Sequence, residues 1–140
     1  MRVAVGSDHG GIKLKKKVVR LLEHDRHQVL DMGCYSDDSV DYPVFARSVC
    51  SAILNGEAEL GILICGTGIG MSMAANRFKG IRAALCHEQF TARMSREHND
   101  ANVLCVGARV VGSGLALEMV RTWLNTDFGG GRHLRRIEMF

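Results

Sequence analysis

The chain has 140 residues, enough for one domain with a substantial core and too few for two ordinary ones. It is 46% hydrophobic and 24% charged with one proline, the composition of a soluble globular protein, and a formal net charge of +3 is too small to argue for nucleic acid. No run reaches the length of a membrane span and the N-terminus lacks an apolar signal segment, so the expectation is a cytoplasmic protein with no membrane partner.

In chain order, the β-branched run 2–8 predicts the first strand, which ends at Ser7-Asp8-His9-Gly10-Gly11. Ile12, Leu14, Val18, Leu21 and Leu22 then recur at helical spacing over 12–25. A second strand is expected at 28–33. The helix expected at 43–55 opens on Pro43, suited to a first helical turn, and stops at Asn55-Gly56. The third strand, 60–65, ends in Cys65, and Gly66, Gly68 and Gly70 follow at alternate positions. Helices at 71–77 and 88–98 flank a fourth strand at 81–86, and a fifth strand covers 103–107. Ser113 is expected to cap a last helix running to about 125.

Strands alternating with helices predict an α/β fold: a single Rossmann-like α/β/α domain spanning 1–140, with a five-stranded parallel sheet. Ligands of such sheets collect at the carboxyl ends of the strands. The segments Ser7–Gly11, Asp31–Asp38, Cys65–Gly70, Cys86–Gln89 and Gly107–Gly112 are therefore expected along one rim. The five cysteines, at 34, 50, 65, 86 and 105, are odd in number and form no CxxC pair, which indicates a reducing compartment without disulfides.

The glycine loop after Cys65 fails three familiar templates. A dinucleotide fingerprint counted from Gly66 or Gly68 needs a third glycine where Met71 or Met73 stands. No Gly-Lys-Ser/Thr is present for a Walker loop, and a cysteine phosphatase loop needs an arginine at 71. What remains is local chemistry. A thiol beside a helix start is a candidate base or nucleophile. Bare amides from Gly66 through Thr67, Gly68 and Ile69 to Gly70 are candidate oxyanion donors, each typically worth about 3 kcal/mol in a transition state. The plainer reading is a buried strand-end cysteine followed by a tight turn.

Asp8 and His9 suit phosphate or sugar hydroxyls, although Asp8 is equally suited to cap the next helix. His98, Asn99 and Asp100 fall at a helix end, where His98 either caps or transfers protons. In the tail, Gly129–Gly131 precede Arg132, His133, Arg135 and Arg136. Arg132 and Arg136 are four apart and would share a helical face able to clamp a phosphate, or would be simply solvated. His24, His27 and His87 read as surface or packing residues. No metal-ligand spacing appears, so neither a metal nor another cofactor is expected.

Taken together, "GSDHGG", "DYP", "ILICGTGIGMSMAANRFKGIRAA", "SREHNDANVLCVGARVVG" and "GGRHLRRIE" resemble the B-type ribose-5-phosphate isomerases over nearly the whole chain, a family that also includes the galactose-6-phosphate isomerase subunits. The resemblance implies metal-free aldose–ketose interconversion of ribose 5-phosphate and ribulose 5-phosphate by a homodimer or a dimer of dimers with shared sites. It implies Cys65 as the base, Thr67 as its assistant and His98 as ring opener. The 66–70 amides would hold an enediolate, with Asp8 near the ring oxygen. His9, Arg109, Arg132 and Arg136 would bind phosphate, and Tyr42 and Asn99 would line the sugar site. Residues 129–140 would form a tail packing on the partner. A six-carbon substrate, allose 6-phosphate or galactose 6-phosphate, and a non-catalytic phosphosugar-binding module are the competing readings.

Overall fold

Five strands, β1 (Arg2–Ser7), β2 (Gln28–Asp31), β3 (Leu60–Cys65), β4 (Ala83–Leu85) and β5 (Val103–Gly107), pair in parallel in the order β2-β1-β3-β5-β4. The structure is a computed structural model and describes residues 1–140. Alternation along each strand divides the core in two. Val3, Val5, Ile62, Ile64, Leu104 and Val106 face α1 (Ile12–His24), α4 (Gln89–Glu97) and α5 (Ser113–Leu124). Ala4, Leu63, Cys65, Val103 and Cys105 face α2 (Tyr42–Leu54) and α3 (Ile69–Ala75). Helices on both faces explain why β1, β3 and β5 read as continuous apolar runs.

The largest side chain in the core is Trp123 of α5, fully buried and donating from Nε1 to Ser95 Oγ of α4 at 3.2 Å. Truncating it to alanine would cost about 3–5 kcal/mol. A short α6 (Arg132–Ile137) follows the positive-φ pair Gly130 and Gly131, so Arg132 and Arg136 do share one helix.

The boundaries differ from expectation where a side chain took another partner. Ser113 does not cap α5. The N-cap is Gly112, and Ser113 Oγ accepts from Lys17 Nζ at 2.9 Å, tying α1 to α5. Glu88 instead caps α4, accepting from the N–H groups of Phe90 and Thr91. β4 is confined to three residues, and α3 begins two residues earlier than periodicity suggested, directly after Gly68. The four lysines of α1 at 13, 15, 16 and 17 do not share one environment: Lys15 is buried against Asp31 with its ammonium 4.6 Å from the Tyr35 ring centre, while Lys13, Lys16 and Lys17 face solvent.

Position in the sheet decides where a ligand can sit. From β1 the chain winds outward to β2 and then returns past β1 to β3, so the loops after β1 and β3 lead to helices on opposite faces. Such a reversal opens a crevice at the carboxyl ends of the two central strands.

Candidate active site

Cys65 is the last residue of β3, opposite Gly107 of β5, and only 5% exposed. Its Sγ accepts a hydrogen bond from the Gly68 N–H at 3.1 Å. That contact requires a tight turn. Gly68 has φ of +78°, and a Cβ there would stand 2.5 Å from Leu85 Cδ1 and 3.0 Å from the Val106 carbonyl carbon. Only glycine meets both demands without strain. The N–H groups of Gly66, Thr67 and Gly70 have no acceptor within the chain, and the Ile69 N–H donates to Thr67 Oγ1 at 3.3 Å. The loop therefore offers a sulfur with a donor aimed at it and several unspent amides beside it.

The loop after β1 forms the other wall. Asp8 is 9% exposed, and its Oδ1 accepts from the Gly11 N–H at 3.1 Å, so the carboxylate braces the turn that starts α1. The two walls approach closely, since a Cβ on Gly10 would lie 3.5 Å from the Gly66 nitrogen. His9 Nδ1 accepts from the Val40 N–H at 3.2 Å, which fixes the ring against the segment following β2 and leaves Nε2 as the other polar edge. The Arg109 guanidinium reaches both walls: its Nη2 would lie 3.7 Å from a Cβ on Gly10 and its Nη1 3.6 Å from one on Gly66. Tyr42, the first residue of α2, closes the side of the site. Its ring lies so near Gly70 that a Cβ there would stand 2.6 Å from Cζ.

The other candidates lie elsewhere. α4 starts at the carboxyl rim and runs back, so His98, its C-cap, and Asn99 sit at the amino end of the sheet. Asn102 just beyond them accepts from Gly61 N–H at the start of β3. The six residues of β3 put Cys65 roughly 17 Å from that end. The tail joins the same end: the Gly129 N–H donates to Glu97 O at 2.8 Å, and the His133 ring stacks on His98 with centroids 4.2 Å apart and planes 8° from parallel. Arg132 and Arg136 belong to this second group. Desolvation in that stack, together with repulsion from the neighbouring His98, Arg132 and Arg136, pulls the His133 pKa below its usual value, against an opposing pull from Glu97.

One chain thus brings together Asp8, His9, Tyr42, Cys65, Thr67, the 66–70 loop and Arg109, and separately His98, Asn99, Arg132 and Arg136. The largest groove, about 750 Å³, lies by the second group; it is lined by Asn99 and the 76–84 segment and does not include Cys65. Burial holds the other thiols protonated, pushing Cys50 up to about 11 and Cys105 well above its ordinary value. No three His, Cys, Asp or Glu side chains converge as metal ligands would.

A family description, Ribose/Galactose Isomerase, matches residues 3–140. The chain belongs to the ribose/galactose isomerase family. It is an enzyme family, and within it this member is 48% identical to the ribose-5-phosphate isomerase B of Escherichia coli, over 98% of this chain and 92% of that one. It is 51% identical to a putative sugar phosphate isomerase of Bacillus subtilis, covering 98% and 93%. Among solved structures, ribose-5-phosphate isomerase B of Clostridium thermocellum superposes with a TM-score of 0.98 at 51% identity, covering 99% of this chain and 94% of that one. The five-stranded parallel sheet expected from the sequence is the architecture this family member shares with it.

Sequence reading missed three contributors to the second group. Its place in the sequence groups His133 with the tail arginines and not with His98. Arg82 and Arg96 lie within the quoted family segments without a role given to either, yet both bond to Asp100 beside His98 and Asn99. Helical spacing offered a clue for Arg96 alone, which is four residues before Asp100.

Proposed function

We propose that the protein interconverts ribose 5-phosphate and ribulose 5-phosphate, with Cys65 moving the proton between C2 and C1. The observation that supports this most is the Cys65 sulfur at the mouth of the β1/β3 crevice with the Gly68 N–H on it, in a member of an isomerase family. An aldose–ketose shift needs a base above C2 and donors for the oxygen that gains charge as the proton leaves. The unspent amides of Gly66, Thr67 and Gly70 are donors of the required kind, with the enediolate oxygens as their acceptors. Thr67 lies next to the sulfur to steer it or a sugar oxygen, and Ile69 and Gly70 shape the loop.

The remote phosphate supplies binding energy that holds a small sugar in register for proton transfer. His9 and Arg109 serve it from the rim. The remaining roles require a second copy of the chain, because one sheet cannot bring its two ends together. In a two-fold dimer, His98 and Asn99 of one subunit would complete the crevice of the other, with Arg132 and Arg136 on the phosphate and the 129–140 tail carrying them across. Asp8 and the incoming His98 then share the ring oxygen and hydroxyls, so that the furanose opens before Cys65 acts.

The test is turnover of ribose 5-phosphate by purified protein in EDTA, with allose 6-phosphate alongside. Robust pentose turnover supports the reading with no metal required. Turnover of the hexose alone keeps the mechanism and changes the substrate. Binding of both sugars without turnover of either overturns the isomerase assignment.

A further inference from the structure

The turn His98-Asn99-Asp100 is held by a set of contacts out of proportion to its length. Asp100 adopts φ of +45°, one of only two non-glycine residues with positive φ. The other, Arg26, follows the end of α1 on the surface. Asp100 is different in being gripped from two elements. Its Oδ2 accepts from Arg82 Nη2 at 2.8 Å and its Oδ1 from Arg96 Nη1 at 2.8 Å. Arg82 Nε adds bonds to the carbonyls of Asn99 at 3.2 Å and Asp100 at 2.9 Å, and Arg96 Nη1 adds one to Ala101 O at 2.8 Å.

The two arginines are themselves anchored. Arg96 lies 5.6 Å from the centre of the buried Trp123 ring. The segment before β4 that carries Arg82 is held by Asn102, whose side-chain amide accepts from Arg82 N–H and donates to Gly80 O, both at 2.8 Å. An unfavourable backbone conformation persists where the surroundings over-determine it, and such places concentrate at functional sites.

We infer that Arg82, acting through Asp100, is a positioning residue that sets the orientation of the His98–Asn99 turn for ring opening. Two of its three guanidinium nitrogens are spent on this turn, and its bonds to the Asn99 and Asp100 carbonyls fix the backbone immediately after the His98 imidazole. His133 stacks on the imidazole itself, so ring and backbone are held by different elements. The inference rests on the ring-opening role proposed for His98.

The experiment compares two substrates. Ribose 5-phosphate closes to a furanose through its 4-hydroxyl, whereas its 4-deoxy analogue cannot and presents an open chain. Arg82→Gln removes the grip, and Asp100→Gly removes the carboxylate while allowing positive φ, so at least one variant keeps the fold. Both are expected to lose about 10²-fold in kcat/KM on ribose 5-phosphate, the scale of a small misplacement of a reacting group, and only severalfold on the analogue, with His98→Ala showing the same selectivity. Equal losses on both substrates, or no loss on either, for the Arg82 and Asp100 variants would overturn the inference while leaving His98 in its role. If His98→Ala itself fails to distinguish the substrates, ring opening by His98 is wrong and this inference falls with it.

Discussion

The two ends of the sheet hold their functional groups by different means. At the carboxyl end the main chain sets the geometry: the Gly68 N–H reaches the Cys65 sulfur, and neighbouring amides are left without partners because they lie in the turn after β3 and the first turn of α3. At the amino end side chains hold side chains, with Arg82 and Arg96 on Asp100 and His133 on His98. Main-chain dipoles fixed by a sheet need no reorganisation as charge develops, which suits the proton transfer proposed for this end. A network of long side chains on a helix terminus and a terminal tail suits the role proposed above, in which these groups are delivered to another subunit. On the proposed function, damage at the first end should stop chemistry, and damage at the second end should weaken assembly, ring opening or phosphate binding.

The sharpest test of that contrast is Cys65→Ala. It should lower kcat by about 10²–10⁴-fold, the usual weight of a positioned acid or base, while phosphosugar binding measured by calorimetry stays within a few-fold. Turnover near the wild-type level would remove Cys65 as the base. The next test joins the two ends. Cys65→Ala and His98→Ala proteins, each nearly inactive on ribose 5-phosphate, are mixed, dissociated and reassociated. Random two-fold pairing gives half heterodimers with one intact site each, so about a quarter of wild-type activity should return. If each site were built within one chain, nothing would return.

How far the sequence was legible also differs between the ends. The carboxyl rim could be read because strand patterns and glycines are local signals: β3 was predicted at its observed limits, and Cys65, Gly68 and Asp8 fall where the parallel-sheet rule puts them. The amino end could be read only as fragments. Helix spacing paired Arg132 with Arg136, and the α4 limits left His98 at a C-cap, but nothing local joins Glu97 to Gly129 or Arg82 to Asp100. Those pairs are distant in sequence and depend on the strand order, in which β4 jumps past β5 to the edge. The Ser113 error has a similar origin, since a lysine from α1 competes for the hydroxyl across the fold.

Two smaller effects sharpen the comparison further. Arg136→Ala should raise KM for ribose 5-phosphate by roughly tenfold or more, as expected for losing a charge-assisted bond worth about 1.5–3 kcal/mol, with kcat changed much less. An unchanged KM would take Arg136 off the phosphate. Gly68→Ala should destabilise the fold by more than the about 1–2 kcal/mol of the left-handed conformation, because its Cβ also meets Leu85 and the Val106 backbone, and should lower kcat by moving the N–H from the sulfur. Denaturant unfolding and turnover on the same sample separate the two losses. Lost stability with full kcat would show that the Gly68 contact has no part in catalysis.

The mildest expected effect is a pH response confined to the amino end. His133 has its pKa lowered from 6.5, first by desolvation and then by His98, Arg132 and Arg136, with Glu97 opposing. A lowered histidine pKa means that the folded chain binds the proton less tightly than the unfolded one. Its stabilising contribution is therefore complete above about 6.5 and is lost as pH falls through the folded-state value. Protonation places a further positive charge in a stack already flanked by two arginines, so α6 should loosen first. Protection factors along Arg132–Ile137, corrected for the slower intrinsic exchange at lower pH, should fall on acidification before any change along Leu60–Cys65, and His133→Phe, which keeps a stacking ring without the charge, should abolish the difference. Simultaneous opening of both ends in the wild type would mean that the stack does not act as a separate hold on the tail.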